Sequence, residues 1–298
     1  MFNAAGIRQS RWERNGYLCC AVVLFYEYFL QLDSEVEYFW ERRWSLAKVL
    51  FLWSRYFGLM FNISNAAVYM QKQPSFDVRY RFFHWQDTGA SLQIITTHLI
   101  LELRIWAMYG NSRKMFFVLL FLIIAEATAM GVIFGVPRAD LVATNNPLNG
   151  VYICADGDPT NGHHWAVFFW LASLVIDLIL FFLAMWKAWE HRSKPQSRLM
   201  REVVAQSVLY FVAIFWIYVA NMVIWFVNRI TLNEFGTPFS FVIPSICANR
   251  LLISCRRNNQ PDELTIISTF RRQKRHPNET SGNVELTTCD NVQIQTVP

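Results

Sequence analysis

The chain has 298 residues, of which 54% are apolar, 16% aromatic and 16% charged, and its formal charge is +5. A soluble domain carries about 25% charged residues. Here the charges gather between apolar runs of about 20 residues, enough to cross ~30 Å of hydrocarbon. Composition therefore excludes a soluble globular protein, and the basic excess, spread over loops flanking the apolar runs, points to the lipid bilayer as partner and to no nucleic acid.

In chain order the runs predict seven spans: Gly16–Leu32, Ser45–Met70, Trp85–Tyr109, Met115–Val136, Trp165–Trp189, Val203–Val227 and Thr237–Cys255. The expected fold class is all-α, a polytopic membrane bundle of seven transmembrane helices, in the plasma membrane or an endomembrane. The transmembrane domain covers 1–255, and 256–298 reads as a polar, disordered cytosolic tail. Arg8, Arg11 and Arg14 precede the first run as they would in a signal peptide. No small-residue cleavage site follows, so the run is read as a retained span. Trp40, Trp44, Trp85, Trp106, Tyr109, Trp165, Trp189 and Trp225 fall near span ends, the place of aromatic belts. Trp53 and Trp216 fall mid-span and read as packing residues.

Orientation follows from Lys and Arg. Arg42, Arg43, Arg113, Lys114, Arg192, Lys194, Arg198, Arg201, Arg256, Arg257 and "RRQKR" share the side of the C-terminus, which carries the greater part of the basic charge. That side is expected to be cytosolic and the N-terminus outside.

Between spans one and two, "LDSEVEYFWERRW" (32–44) places Leu32, Val36, Phe39 or Trp40, and Arg43 or Trp44 at helical spacing. Asp33, Glu35, Glu37 and Glu41 fall mostly off that stripe. The segment reads as an amphipathic helix in the cytosolic interface. It either sets the angle of span two or offers a docking face to a cytosolic signalling partner. The residues of that face are Asp33, Glu35, Glu37 and Arg42, with Arg104 and Arg198 on the same side.

Ionisable groups inside a span are costly unless paired or facing a wet cavity, so each is a functional candidate. Span two carries Arg55, Gly58, Asn62, Asn65 and Tyr69 on one helix face; span three carries Asp87, Ser91, His98 and Glu102. Span five adds Ser173 and Asp177, and span six adds Gln206, Tyr210 and Asn221, while Glu27 and Glu126 stand more alone. A polar core of Arg55, Asn62, Asn65, Asp87, Ser91, His98, Glu102, Ser173, Asp177 and Asn221 either glues helices together or lines a cavity for a small ligand. Arg55 needs a carboxylate partner; Asp177 shares its expected depth and Glu102 lies about one turn away. His98 and Glu102, one turn apart, suit a metal or a proton relay, but nothing in the sequence completes a metal site. No metal or other cofactor is expected.

The segments "FYEYFLQLDSEVEYFWERRWSLAKVLFLWSRYF" (25–57), "ILELRIWAMYGNSRK" (100–114) and "ANRLLISCRR" (248–257) resemble a large basidiomycete family of seven-span membrane proteins of unknown function. The N-terminal block, about 16–57, matches at Leu32, Asp33, Glu35, Val36, Trp40, Arg42, Trp44, Ser45, Lys48, Arg55 and Tyr56. A second motif matches at Leu103, Arg104, Ala107, Met108 and Tyr109, with Trp106 where the family usually has tyrosine. The start of span three lacks the cysteine many members carry, so a receptor-type bridge from there to Cys154 is excluded. Cys19 or Cys20 can pair with Cys154, or all remain free thiols. The resemblance implies architecture and no activity.

Seven spans, an external N-terminus and a basic third cytosolic loop suit a receptor-like sensor. Cys255, beside Arg256 and Arg257, suits lipidation at an anionic membrane surface. Span six lacks a proline and span seven an NPxxY pattern, so the receptor reading is one of architecture. A small-solute or ion transporter is the alternative, without a visible internal repeat. A zinc hydrolase needs more intramembrane histidines than His98, and a retinal Schiff base needs a lysine that span seven lacks, so no enzyme is expected.

Overall fold

The structure, a computed structural model, describes residues 4–40, 44–71, 76–135, 142–144, 155–157, 165–192, 198–229 and 232–259. Helix α1 (Ala4–Leu30) leads into the one-turn α2 (Leu32–Glu35) and a π-turn over Val36–Trp40. Six long helices follow: α3 (Leu46–Tyr69), α4 (Phe76–Met108), α5 (Arg113–Gly135), α6 (Trp165–Arg192), α7 (Arg198–Val227) and α8 (Thr237–Asn259). A 3-10 turn (Asn233–Phe235) separates α7 from α8. The one departure from all-helical structure among the described residues is a two-strand antiparallel ladder between α5 and α6. Its strands, β1 (Val142–Thr144) and β2 (Ala155–Gly157), were not expected from the sequence.

Sequential neighbours pack side by side around a closed ring from α1 through α3 to α8 and back to α1. Helix α4 also touches α6 and α8, so it runs through the middle of the bundle. The core it helps form is strongly aromatic: Phe61, Phe169, Trp170, Phe211, Tyr218 and Phe241 are buried with Ile94, Leu101 and Ile105. Packing between α3 and α4 depends on small residues. A Cβ on Gly89 would run into the Phe61 ring, and one on Gly58 would sit 2.9 Å from the Gln93 amide. Glycine lets such backbones approach closely.

Four segments, Arg113–Gly135, Ala166–Glu190, Val208–Val227 and Asn233–Arg257, are long and apolar enough to cross a membrane. They make the chain a multi-pass membrane protein. Their outward faces carry Phe117, Phe121, Phe182, Trp186, Leu209, Trp216 and Phe226, all more than half exposed, a surface suited to lipid tails rather than water. Trp216 is therefore not a packing residue. Trp53 does pack, although 46% exposed: it stacks on Phe57 and donates across to Thr96 Oγ1 on α4 at 3.2 Å.

The helices extend past several expected limits: α1 begins at Ala4 and α4 at Phe76. Helix α8 runs on to Asn259, so Arg256 and Arg257 belong to the bundle and not to the tail. Residues 260–298 and Cys154 lie outside the described residues. Cys19 is exposed and Cys20 buried, and both are free thiols.

Candidate functional site

The interior stripe expected on α3 is an inward face: Arg55, Gly58, Asn62, Asn65 and Tyr69 are all buried. Ser45 starts this helix by accepting the Lys48 N–H at 3.3 Å, an N-cap that satisfies one orphan donor. Two turns further on, Arg55 meets its counter-ion. That partner is neither Asp177 nor Glu102. Its Nε lies 2.7 Å from Glu35 Oε2, with the side chains 5% and 0% exposed.

Glu35 comes from the acidic strip, which corrects the reading of that strip as a charged outer face. The inward residues are Gln31, Glu35 and Phe39, one turn apart, while Val36, Trp40 and Trp44 point outward with Asp33 and Glu37. The π-turn brings Trp40 Nε1 back over Glu35 Oε1 at 3.0 Å, and the Tyr56 hydroxyl donates to the same oxygen at 3.0 Å. Arg55 also donates to Gln31 Oε1 (3.2 Å) and the Tyr28 carbonyl (2.6 Å), and lies over the Tyr28 ring. Gln31 donates in turn to Glu27, which is held by both Nε (2.5 Å) and Nη2 (2.8 Å) of Arg250 on α8. The cavity between Glu27, Gln31, Arg55 and Asn249 holds about 10 Å³, room for about one water. Arg55 is thus held by an ion pair with Glu35 and by hydrogen bonds to Gln31 and Tyr28.

The same elbow is clasped from outside the strip. Lys48 Nζ donates to the Trp40 carbonyl at 3.2 Å and lies over the Trp44 ring. Arg256 donates to the Tyr38 carbonyl and Ser45 Oγ, both at 2.7 Å, with its guanidinium over Phe39, which stacks on Phe51. Arg256 thus serves the elbow. Of the remaining interaction-face candidates, Arg104 is buried and donates to Sγ of Cys255, the free, half-buried thiol read as a lipidation site, at 3.0 Å. Arg42 and the side chain of Arg198 lie outside the described residues.

A second ionisable group lies between α4, α5, α6 and α7. His98 Nδ1 is 2.6 Å from Glu126 Oε1, with both side chains fully buried. Glu102 and Asp177 are within electrostatic reach of His98 and Glu126. The ring of Tyr218 stands edge-on to His98, centroids 6.1 Å apart. Sequence reasoning set Glu126 aside as isolated; its one signal was that it is the sole charged residue within the span-four run. Among the described residues no three His, Cys, Asp or Glu side chains converge as a metal site requires.

The other polar-core candidates divide. Asn62 donates to the Gly58 carbonyl, Ser91 to the Asp87 carbonyl and Ser173 to the Phe169 carbonyl, each within its own helix. Asn221 joins the carbonyls of Ile217 and Gly236, pinning the turn before α8. Asn65 is fully buried with neither amide atom bonded. Asp87 and Ser91 are only half-buried.

At the opposite end of the bundle a third network escaped sequence reasoning. The Tyr17 hydroxyl and Gln86 Nε2 donate to Glu234 Oε2 at 2.6 and 2.7 Å, and the Glu234 backbone N–H reaches Glu13 Oε1 at 3.3 Å. Burial first, and the Glu234 charge second, hold the Glu13 carboxyl well above the usual carboxylate range.

The profile of a family of unknown function (DUF6533) matches residues 16–60. This stretch holds every member of the elbow network except the α8 arginines: Glu27, Gln31, Glu35, Trp40, Lys48, Arg55 and Tyr56. No curated protein and no solved structure matches the chain.

Proposed function

We propose that α1, α3 and α4 cross the membrane with the four apolar helices, giving a seven-span, receptor-like sensor with its N-terminus outside and its C-terminus cytosolic. Each of the three is at least 24 residues long, enough to span hydrocarbon at about 1.5 Å per residue. Their lower hydropathy comes from residues turned inward, among them Glu27, Arg55, Asn65, His98 and Glu102, while Val22, Phe25, Tyr26, Met60 and Ile63 face outward. The distribution of Lys and Arg supports the orientation.

The observation that carries the sensor reading is the position of α4. It holds His98 and Glu102 in the interior, and two residues further on Arg104 is bonded to Cys255, beside the elbow that Arg256 clasps. A change of charge in the core can therefore bias the end of the bundle where a cytosolic partner would dock. A small-solute or ion transporter is the second reading, favoured by the ionisable cluster within the bundle. A protease-cleavable tag at the C-terminus tests the orientation: protection in intact cells and cleavage after permeabilisation are expected. Cleavage in intact cells would overturn it and leave the transporter to be pursued by uptake into proteoliposomes.

A further inference from the structure

The cluster between α4 and α7 has an electrical imbalance that the elbow does not. At the elbow, Glu35 faces Arg55 and Glu27 faces Arg250. In the cluster, Glu126 contacts the one imidazole while Glu102 and Asp177 lie within electrostatic reach of it, and among the described residues no Arg or Lys is bonded to any of the three carboxylates. The buried arginines Arg104 and Arg55, and Arg250 on α8, are engaged with other groups: Arg104 with Cys255, Arg55 with Glu35 and Arg250 with Glu27. From α7 the cluster meets Tyr218, and the α8 groups Cys247 and Arg250 face Glu27 and Tyr210 instead. The His98–Glu126 contact is the one hydrogen bond in the group. Both oxygens of Asp177, Glu102 Oε1, Glu126 Oε2, His98 Nε2 and the Tyr218 hydroxyl are buried without a partner.

Uncompensated buried charge is expensive, and buried polar atoms ordinarily have partners. With His98 neutral and all three acids ionised the cluster would carry three negative charges. It becomes neutral only by taking up three protons. Each uptake is a transfer from hydronium to a carboxylate oxygen or imidazole nitrogen, forming one O–H or N–H bond and releasing one water. The acid side chain so formed is also a donor, which the unpartnered oxygens around it can accept.

We propose that His98, Glu102, Glu126 and Asp177 form an intramembrane proton-binding site, with protons as the ligand of the sensor. The site stands on its own geometry, and its role as an input rests on the sensor reading. Among the described residues no three His, Cys, Asp or Glu side chains come close enough together to hold a metal ion, which favours protons as the ligand.

The test uses the full chain in lipid nanodiscs and infrared difference spectra between acid and alkaline buffers at fixed sodium, and between low and high sodium at fixed pH. A protonated-carboxyl carbonyl band that changes with pH is expected, with a component lost in Asp177→Asn and retained in Asp87→Asn. Asparagine mimics the neutral acid, so this variant should keep the fold. If it does not, Glu126→Gln on α5 reads the same site by the loss of a component. A spectrum without such a band overturns the proposal, as does a band unaltered by both variants. A band that follows sodium at constant pH and ignores pH would assign the site to a monovalent cation instead. Labelling of Cys255, read by mass spectrometry and compared at each pH between wild type and Asp177→Asn so that the thiol's own titration cancels, separates the two claims. A titrating band with Cys255 rates that never differ between the two chains would keep the proton site and sink the sensor.

Discussion

Arg55 and Glu35 form a buried ion pair at 2.7 Å that joins α3 to the elbow following α1. Removing one partner of such a pair strands the other charge, at a cost of about 3–5 kcal/mol. Arg55→Ala and Glu35→Ala are therefore expected to reduce folded yield and thermal stability far more than Asp87→Ala, whose side chain is half-buried. Replacing both partners, as Arg55→Met with Glu35→Leu, should recover much of the loss. Size-exclusion yield and melting temperature of the four variants measure this. Equal stability of Arg55→Ala and Asp87→Ala would rule out a buried pair.

Glu27 and Arg250 offer a contrast. Their contact is bidentate, but the Arg250 side chain is 53% exposed. Solvent screening reduces exposed pairs to about 0–1 kcal/mol. Arg250→Ala should lower stability much less than Arg55→Ala in the same assay, and a loss as large would mean that the α1–α8 seam is more deeply desolvated than its exposure indicates.

The inward stripe of α3 was legible because Arg55, Asn62, Asn65 and Tyr69 fall on one face of an ordinary helix. The role of Glu35 was not. Its segment combines one α-turn with a π-turn, so the face set by a regular helical period is not the face that is buried. Long-range pairings were equally hidden: Glu27 with Arg250, Tyr38 with Arg256 and Tyr17 with Glu234 depend on ring closure between α1 and α8. A single sequence gives helix faces, whereas the choice among several carboxylates for one arginine is made by which helices become neighbours. Asp177 matched Arg55 in expected depth, yet α6 packs chiefly on α4, α5 and α7, whereas α3 packs chiefly on α1, α4 and α8.

Gly89 tests the packing of α3 on α4. A methyl group there collides with the Phe61 ring, itself fully buried. Overpacking of this kind costs about 1–3 kcal/mol. Gly89→Ala should lower the melting temperature, and Gly89→Ala with Phe61→Leu should restore part of it. Gly131→Ala, where a Cβ would meet nothing within 4 Å, is the control expected to be neutral.

Glu13 makes stability depend on pH at the end of the bundle away from the elbow. The fold favours its protonated form, because burial and the Glu234 charge oppose ionisation. Its contribution is fully present below the ordinary carboxylate range and is lost as pH rises through the raised value. Unfolding temperature should therefore decline over that rise, and Glu13→Gln should flatten the decline. Parallel curves for wild type and variant would show that Glu13 ionises freely in the fold.

Arg256 is the clasp through which the end of α8 holds the elbow, by hydrogen bonds to Tyr38 and Ser45 and by its position over Phe39. These contacts are only part-buried, so Arg256→Ala should leave the bundle folded while releasing the π-turn. Hydrogen exchange should speed up over 36–50 and stay unchanged in α5 and α6. Arg256→Lys can replace one hydrogen bond but not the two-pronged grip and ring stacking of a guanidinium, so it should fall between the two. Uniform acceleration across all helices would make Arg256 a general stabiliser. A change confined to the elbow would mark that segment as separately movable, as an output face must be.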